Sequence, residues 1–540
     1  MAFTTLAFVL FTAVVIAVYF LFPVKKYQWV VLLAADYFFY LYAGYKFAAF
    51  ILFTTISIYA AARKIESLQM QSKAELKEKG KSWSREEKKA YKAGMKKKQI
   101  RYMVLGLVLN FGILVFLKYF NFLAGGLNQL FGHAAGGGPI PMLRLFLPLG
   151  ISFYTFQAAG YLVDVYRGAI SAEKNLLKFA LFISFFPQIV QGPISSFGQL
   201  AGQLTTPHRP EFVRFKLGLE LILWGYFKKL VIADRAVIAI NTVTGDYTQY
   251  SGTAILFVAL LYALQLYADF SAGIDISRGI AQILGIDMVQ NFRRPYFATS
   301  IGNYWRRWHI TLGVWMENYI FNPIAISKLF LGWSKKMRQS GLGKTAAGAH
   351  IAKVLPASIS SVIVFLVVGI WHGANSKYIA FGLWNGLIIM ISILCKPVFD
   401  RMREALRIRA ESFYWRVFRI VRTFILVLVG YYFDIAPSFT GAMDMMKRSL
   451  LDQHPRAGLK EIFNLGLNRT DFLTLAVGML VIFVVSVFEE KYRIDTPGEL
   501  LERKSFALRF TLIAATVLLI VYWGVYGPGY NPADFVYMQF

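Results

Sequence analysis

Residues 354–377 read VLPASISSVIVFLVVGIWHGANSK. The run from Val354 to Ile370 is almost wholly apolar, and it ends in Trp371-His372-Gly373. Nothing charged lies between Lys353 and Lys377. A bilayer-crossing helix needs roughly 20 apolar residues, so this stretch reads as a membrane span with an ionisable ring at its far end. At about 1.5 Å per residue, His372 lies roughly 28 Å along the helix from Lys353. With Lys353 at the cytoplasmic face, His372 falls in the outer half of the bilayer. An ionisable side chain is costly there and marks a candidate functional site. Gly373 removes a side chain next to it and is expected to let a substrate come close. Spacing alone leaves a buried structural histidine and a catalytic base both open.

The rest of the chain places this span in a membrane protein. Of 540 residues, 57% are apolar and 16% charged, against about 25% charged in ordinary soluble domains. Water could not solvate that much apolar surface, so lipid must be the solvent for part of it. Disordered, collagen-like, coiled-coil and cytosolic-enzyme classes are excluded. The pattern predicts an all-α, polytopic integral membrane protein with about ten to thirteen membrane helices, some re-entrant or interfacial. It reads as one membrane domain over residues 1–540. Thr5–Leu21 lacks a basic n-region and a small-residue cleavage site, and reads as an uncleaved first span. Three spans before Arg63, with a tight turn near Gly44, put the N-terminus outside. Lys and Arg total 58 against 30 Asp and Glu, a net charge of +28. That excess marks cytoplasmic loops beside anionic lipid. It is dispersed between apolar runs, so a nucleic-acid partner is not expected. Arg63–Arg101 carries 14 basic residues against 5 Glu; it reads as a cytoplasmic hairpin of amphipathic helices lying on the headgroups. The loop with Lys335, Lys336, Arg338, Lys344 and Lys353 is expected on the same side. So is Arg401–Arg422, with seven arginines. The lone Cys395 excludes an intrachain disulfide and a multi-cysteine metal site. Ala134-Ala135 and Gly136-Gly137-Gly138 read as a loop; a phosphate cradle would need a following helix with Lys and Ser or Thr.

Other polar residues at apparent membrane depth are candidates by the same cost argument. His309 lies in Asn303-Tyr304-Trp305-Arg306-Arg307-Trp308-His309-Ile310. Trp308, Leu312, Trp315 and Tyr319 recur at one-face helical spacing, with Arg306 and His309 at i, i+3 beside them. The segment is too charged to span and reads as an interfacial or re-entrant helix, either an anchor or part of a site. Asp269 and Asp275 close another apolar run, and could orient a histidine, pair an arginine or cap a helix end. Gln188, Gln191 and the Gly192-Pro193-Ile194 break interrupt a helix, as happens where backbone lines a cavity. His133, His208, His350 and His454 sit in loops and are expected to be solvated. No nucleophile elbow, zinc-protease motif or Walker loop occurs. Proton transfer is the chemistry left for isolated intramembrane histidines, as a transporter relay or as a general base on a hydroxyl.

Leu147-Pro148-Leu149-Gly150-Ile151-Ser152-Phe153-Tyr154-Thr155-Phe156-Gln157, Phe185-Phe186-Pro187-Gln188 with Gly192-Pro193-Ile194, Asp269-Phe270-Ser271, Asn291-Phe292 with Pro295-Tyr296, and Tyr304 to Leu312 form a series of ordered blocks. Together they resemble the membrane-bound O-acyltransferase family, in particular its bacterial branch that acetylates alginate or D-alanylates teichoic acid. Trp371-His372-Gly373 follows His309 by 63 residues, and Phe535–Phe540 is similar to the aromatic tail of the alginate enzymes. The resemblance implies helices around a tunnel, with a thioester reaching the histidines from the cytoplasm and an acceptor hydroxyl from the other side. It implies His372 as the essential base, and His309 as a second histidine that positions the thioester carbonyl or shares the proton. Trp371, Trp308, Trp305, Arg306, Arg307, Asp269, Gln188, Gln191 and Asn385 are the expected supporting residues. An imidazole with an ordinary pKa of about 6.5 can take the hydroxyl proton during attack, and the two tryptophans would fix the ring planes and exclude water. The donor is expected to be acetyl-CoA or an acyl-carrier thioester, with no permanently bound cofactor and no metal. The expected partners are the lipid bilayer, extracytoplasmic acetyltransferase or carrier helper proteins, and a polysaccharide acceptor, in a bacterial cytoplasmic membrane. D-alanyl transfer to teichoic acid is the near alternative; a proton-coupled transporter or channel, or a scaffold, is the different class. Two positions depart from the family pattern: Glu317-Asn318 replaces a basic–acidic pair before Tyr319, and Asn385 replaces a histidine before Gly386.

Overall fold

The computed structural model describes residues 1–132, 138–527 and 530. Regular structure among them is entirely helical. Among the described residues, seven helices are long and apolar enough to cross a membrane, so the chain is a multi-pass membrane protein. Residues 133–137 and 535–540, where a loop, His133 and an aromatic tail were expected, lie outside the described residues. The helices gather into two compact units, one from Met1–Leu219 with Ser277–Val289, the other from Glu220–Ile276 with the chain from Gln290 onward.

In the first unit, α1 (Leu6–Leu21), α2 (Gln28–Ala43), α3 (Ala48–Glu78) and α4 (Arg85–Leu130) run in chain order. Ser84 and Glu87 form a reciprocal capping box that starts α4. Both α3 and α4 run without a break through residues 63 and 101. The basic hairpin therefore extends two spans in their own direction instead of lying along the headgroups. A 46-residue helix such as α4 is roughly 69 Å long, about twice what a bilayer core needs. Beyond it come α5 (Ile151–Arg167), α6 (Leu176–Ser184) and the short α7 (Phe186–Ile189). Gly150 starts α5 at φ 68°, and a Cβ there would stand 2.3 Å from the Ile189 carbonyl oxygen, so only glycine fits. Between α6 and α7 the buried carboxylate of Asp36 accepts the Phe186 N–H at 2.7 Å and the Ser184 hydroxyl at 3.3 Å. It thus satisfies backbone that the helix break would orphan. Among the described residues, two of the histidines expected to be solvated loop residues are less so: His208 and His350 are half-buried against the carbonyls of Gln203 and Ile393, His350 within the helix Ala346–His372, while His454 is exposed, paired with Asp452.

The second unit begins within one long helical stretch: α8 (Phe212–Tyr226), a π-helical turn over Phe227–Ala233, and α9 (Asp234–Gly245). Then come α10 (Gly252–Ile283), α11 (Ile301–Trp305), α12 (Ile310–Met316), α13 (Lys328–Gln339), α14 (Ala346–His372), α15 (Ser376–Leu394), α16 (Phe413–Ile435), α17 (Arg469–Tyr492) and α18 (Phe506–Trp523). Pro356 stands inside α14 and cannot donate to the Ala352 carbonyl. The Ser334 hydroxyl of α13 donates to that oxygen instead, at 2.5 Å, so the helix continues to His372. Glycines bring α14 and α15 together. A Cβ on Gly369 would stand 2.3 Å from the Tyr378 carbonyl oxygen, and one on Gly382 2.3 Å from that of Phe365. Small residues at such a crossing allow the backbone contact that drives helix association in lipid.

Candidate functional site

His372 is the last residue of α14. It is 9% exposed, and three aromatic rings fix its plane. Trp371 lies edge-on at 5.3 Å, Phe381 edge-on at 5.3 Å, and Tyr378 stacks at 6.2 Å with 24° between planes. Gly373 serves a different purpose from the one expected. A Cβ there would fall 2.4 Å from the Tyr378 ring, so the missing side chain admits Tyr378 against the imidazole rather than a substrate.

His309 is placed by a broken helix, not by the continuous one that the aromatic spacing predicts. The backbone leaves α11 at Arg306, and His309 adopts φ 46°, ψ 52° as the residue before α12. A side-chain-bearing residue in this left-handed region is uncommon and concentrates at functional sites. The break means that Arg306 and His309 do not share a helix face. His309 is 1% exposed, its Nδ1 lies 3.3 Å from Asn291 Oδ1, and Phe270 meets it edge-on at 4.9 Å. Its ring centre is 6.3 Å from that of Trp371. One indole therefore touches both histidines.

His372 also walls a cavity of about 20 Å³ together with Trp305, Trp308, Asn385, Tyr431 and Asp434. That is room for roughly one water-sized oxygen. Its polar edge is tied down: Trp305 Nε1 donates to Asn385 Oδ1 at 2.9 Å, Asn385 Nδ2 donates to the Phe381 carbonyl at 2.9 Å, and Tyr262 donates to Asp434 at 2.5 Å. Tyr304 and Tyr431 share a hydroxyl contact at 2.8 Å. Trp308 stacks on Tyr304 at 5.7 Å and 18°. The sequence-predicted residues His309, His372, Trp371, Trp308, Trp305 and Asn385 are thus brought into one cluster.

Arg306, Arg307 and Asp269, in the same unit, do not line this cavity. Arg307 reaches Glu490 with both terminal nitrogens, at 3.1 and 3.2 Å, and shares it with Arg294 at 2.9 Å. It ties the 291–309 segment to α17. Arg306 is exposed. Asp269 does not stand at a helix end. α10 continues past it, and it receives Lys229 Nζ at 2.6 Å, with Asp234 on the same ammonium at 2.7 Å. Lys228 likewise bonds Asp275 and Ser271, each at 2.6 Å. Sequence reasoning passed over this lysine pair. The available signal was two adjacent lysines within the apolar run 217–240, because an ammonium at membrane depth needs a partner. Asp234 in turn accepts the Tyr530 hydroxyl at 2.8 Å, and the Val525 N–H donates to the Leu230 carbonyl of the π turn at 2.9 Å. Gln188 and Gln191 belong to the first unit, beside α7. Both are buried, and Gln188 Oε1 and both polar atoms of Gln191 have no partner among the described residues.

A family model described as the membrane-bound O-acyltransferase family matches residues 167–339. The chain is 30% identical over 389 residues to a protein of Pseudomonas aeruginosa named probable alginate O-acetylase AlgI, covering 71% of this chain and 65% of that one. It is 32% identical over 331 residues to the protein of the same name in Pseudomonas syringae, covering 61% and 57%. Identity to the peptidoglycan O-acetyltransferase of Helicobacter pylori is 30% over 317 residues, covering 54% and 55%. The chain thus spans about three fifths of the length of these relatives.

Proposed function

The chain belongs to the membrane-bound O-acyltransferase family, and from that premise we propose that it is an enzyme moving an acetyl group from a thioester to the hydroxyl of an extracytoplasmic polysaccharide or of a carrier acceptor. The observation that carries this reading is the pair His309 and His372 held against one indole, with His372 facing a cavity sized for a single oxygen. The acceptor oxygen attacks the thioester carbonyl carbon, and its proton passes to the His372 imidazole. The tetrahedral intermediate collapses to the ester and a thiolate, which receives the proton back. Trp371, Trp308 and Phe381 keep bulk water from competing for the thioester. Trp305 and Asn385 brace the cavity wall. Acetyl-CoA or an acyl-carrier thioester is the donor, and helper proteins outside the membrane receive or pass on the acyl group. Mass spectrometry of cell-envelope glycans, with and without the protein, tests the reading. Loss of an acetyl mass from one polymer is the expected result; unchanged glycan and carrier acylation would reject it.

The same reading places the protein in a bacterial cytoplasmic membrane with its basic segments inside. In a Cys395→Ser background, single cysteines within 63–101 or 334–353 should resist an impermeant thiol reagent on intact cells and react after permeabilisation. Labelling of either segment from outside would reverse the orientation.

A further inference from the structure

Two tasks are open to His309 in such a site: donating a hydrogen bond to the thioester carbonyl, or accepting a proton. In a neutral imidazole each nitrogen can do only one of these. We infer that Asn291 is a positioning residue that holds His309 with its hydrogen on Nδ1, so that Nε2 carries the lone pair and His309 accepts a proton instead of polarising the carbonyl. The inference rests on the proposed function for the role of His309, and on geometry alone for the tautomer.

Asn291 is fully buried, like His309. Its side-chain oxygen lies 3.0 Å from the Thr311 backbone nitrogen and 2.9 Å from the Thr311 hydroxyl. A backbone N–H can only donate, so the Asn291 atom facing it is the carbonyl oxygen and not the amide nitrogen. That same oxygen stands 3.3 Å from His309 Nδ1. A bare nitrogen there would set one lone pair against another, whereas Nδ1–H completes a hydrogen bond to the oxygen. With the hydrogen on Nδ1, the neutral ring has none on Nε2.

The backbone makes this arrangement hard to escape. Ile310 N–H donates to the Asn291 carbonyl at 2.9 Å, and Arg293 N–H donates to the Arg307 carbonyl at 2.9 Å. The two segments are zipped together on either side of the left-handed His309. Strain of this kind, on the order of 1–3 kcal/mol, persists where the surroundings over-determine it. The edge-on Phe270 ring further restricts rotation of the imidazole. The thioester carbonyl must then be polarised by a group other than His309.

The test begins on the native protein in detergent, labelled with ¹⁵N-histidine, with His309→Gln used to assign the ring signals. A pyridine-type Nε2 and a pyrrole-type Nδ1 at pH 8 are expected; the opposite pattern would overturn the inference. Asn291→Ala should then lower kcat at least roughly tenfold, as loss of a partner that orients a functional histidine does, with the KM for the thioester unchanged. Asn291→Asp keeps the accepting oxygen and should restore most of kcat. A folded Asn291→Ala protein that keeps both its kcat and its Nδ1–H signal would also overturn the inference. Normal transfer by His309→Ala would sink the catalytic reading of His309 instead, and the nitrogen spectrum would still decide the tautomer.

Discussion

His372→Gln is expected to lose acyl transfer by roughly 10² to 10⁴-fold, the range for one positioned acid–base group, while the protein inserts and stays monodisperse. The amide fills part of the imidazole's space between Trp371, Tyr378 and Phe381, yet it cannot take a proton at neutral pH. His372→Ala should be equally impaired. Its additional effect on stability should be small, because the three surrounding rings belong to α14 and α15, whose contact is made by glycine-lined backbone. His309→Ala should also impair transfer. The double variant should be little worse than the worse single one, since groups acting on one transition state rarely add. The measurement is turnover of a labelled thioester by purified variants. Near-normal turnover by a well-folded His372→Gln protein would remove the base assignment and revive the transporter or scaffold readings.

The second large effect is on stability. Lys229→Met should destabilise the protein by about 3–5 kcal/mol, the cost of removing one partner from a buried ion pair. The Lys229, Asp269 and Asp234 side chains are 1%, 0% and 7% exposed, so the variant leaves two carboxylates without their ammonium. Asp269→Asn should cost less, because Lys229 keeps Asp234 at 2.7 Å. Thermal melts of purified protein in one detergent compare the three. A Lys229→Met protein melting with the parent would show that the pair contributes nothing to stability. Both lysines of the pair lie in the π turn over Phe227–Ala233, a local departure from the otherwise α-helical run.

Composition and hydropathy alone establish a helical membrane protein, and the uncharged run after Lys353 alone brings His372 to the end of a span. Both are local properties: a helix forms within its own residues, and its cost in lipid is a sum over its own side chains. The aromatic periodicity around His309 is local as well, and there it misleads. The zipper between residues 291–293 and 307–310 pulls the chain out of the helix that the spacing favours. Pairing is not local. Asp269 finds its lysine 40 residues away, and Trp305 finds Asn385 at a separation of 80. Asn291 meets His309 across 18 residues of non-helical and short-helical chain. No period in the sequence encodes those distances, because each partner is chosen by which helices pack and by how deeply the packing buries a group that must be satisfied. The sequence therefore determined where ionisable groups enter the membrane; the tertiary structure decided which of them neutralise one another and which two histidines share an indole.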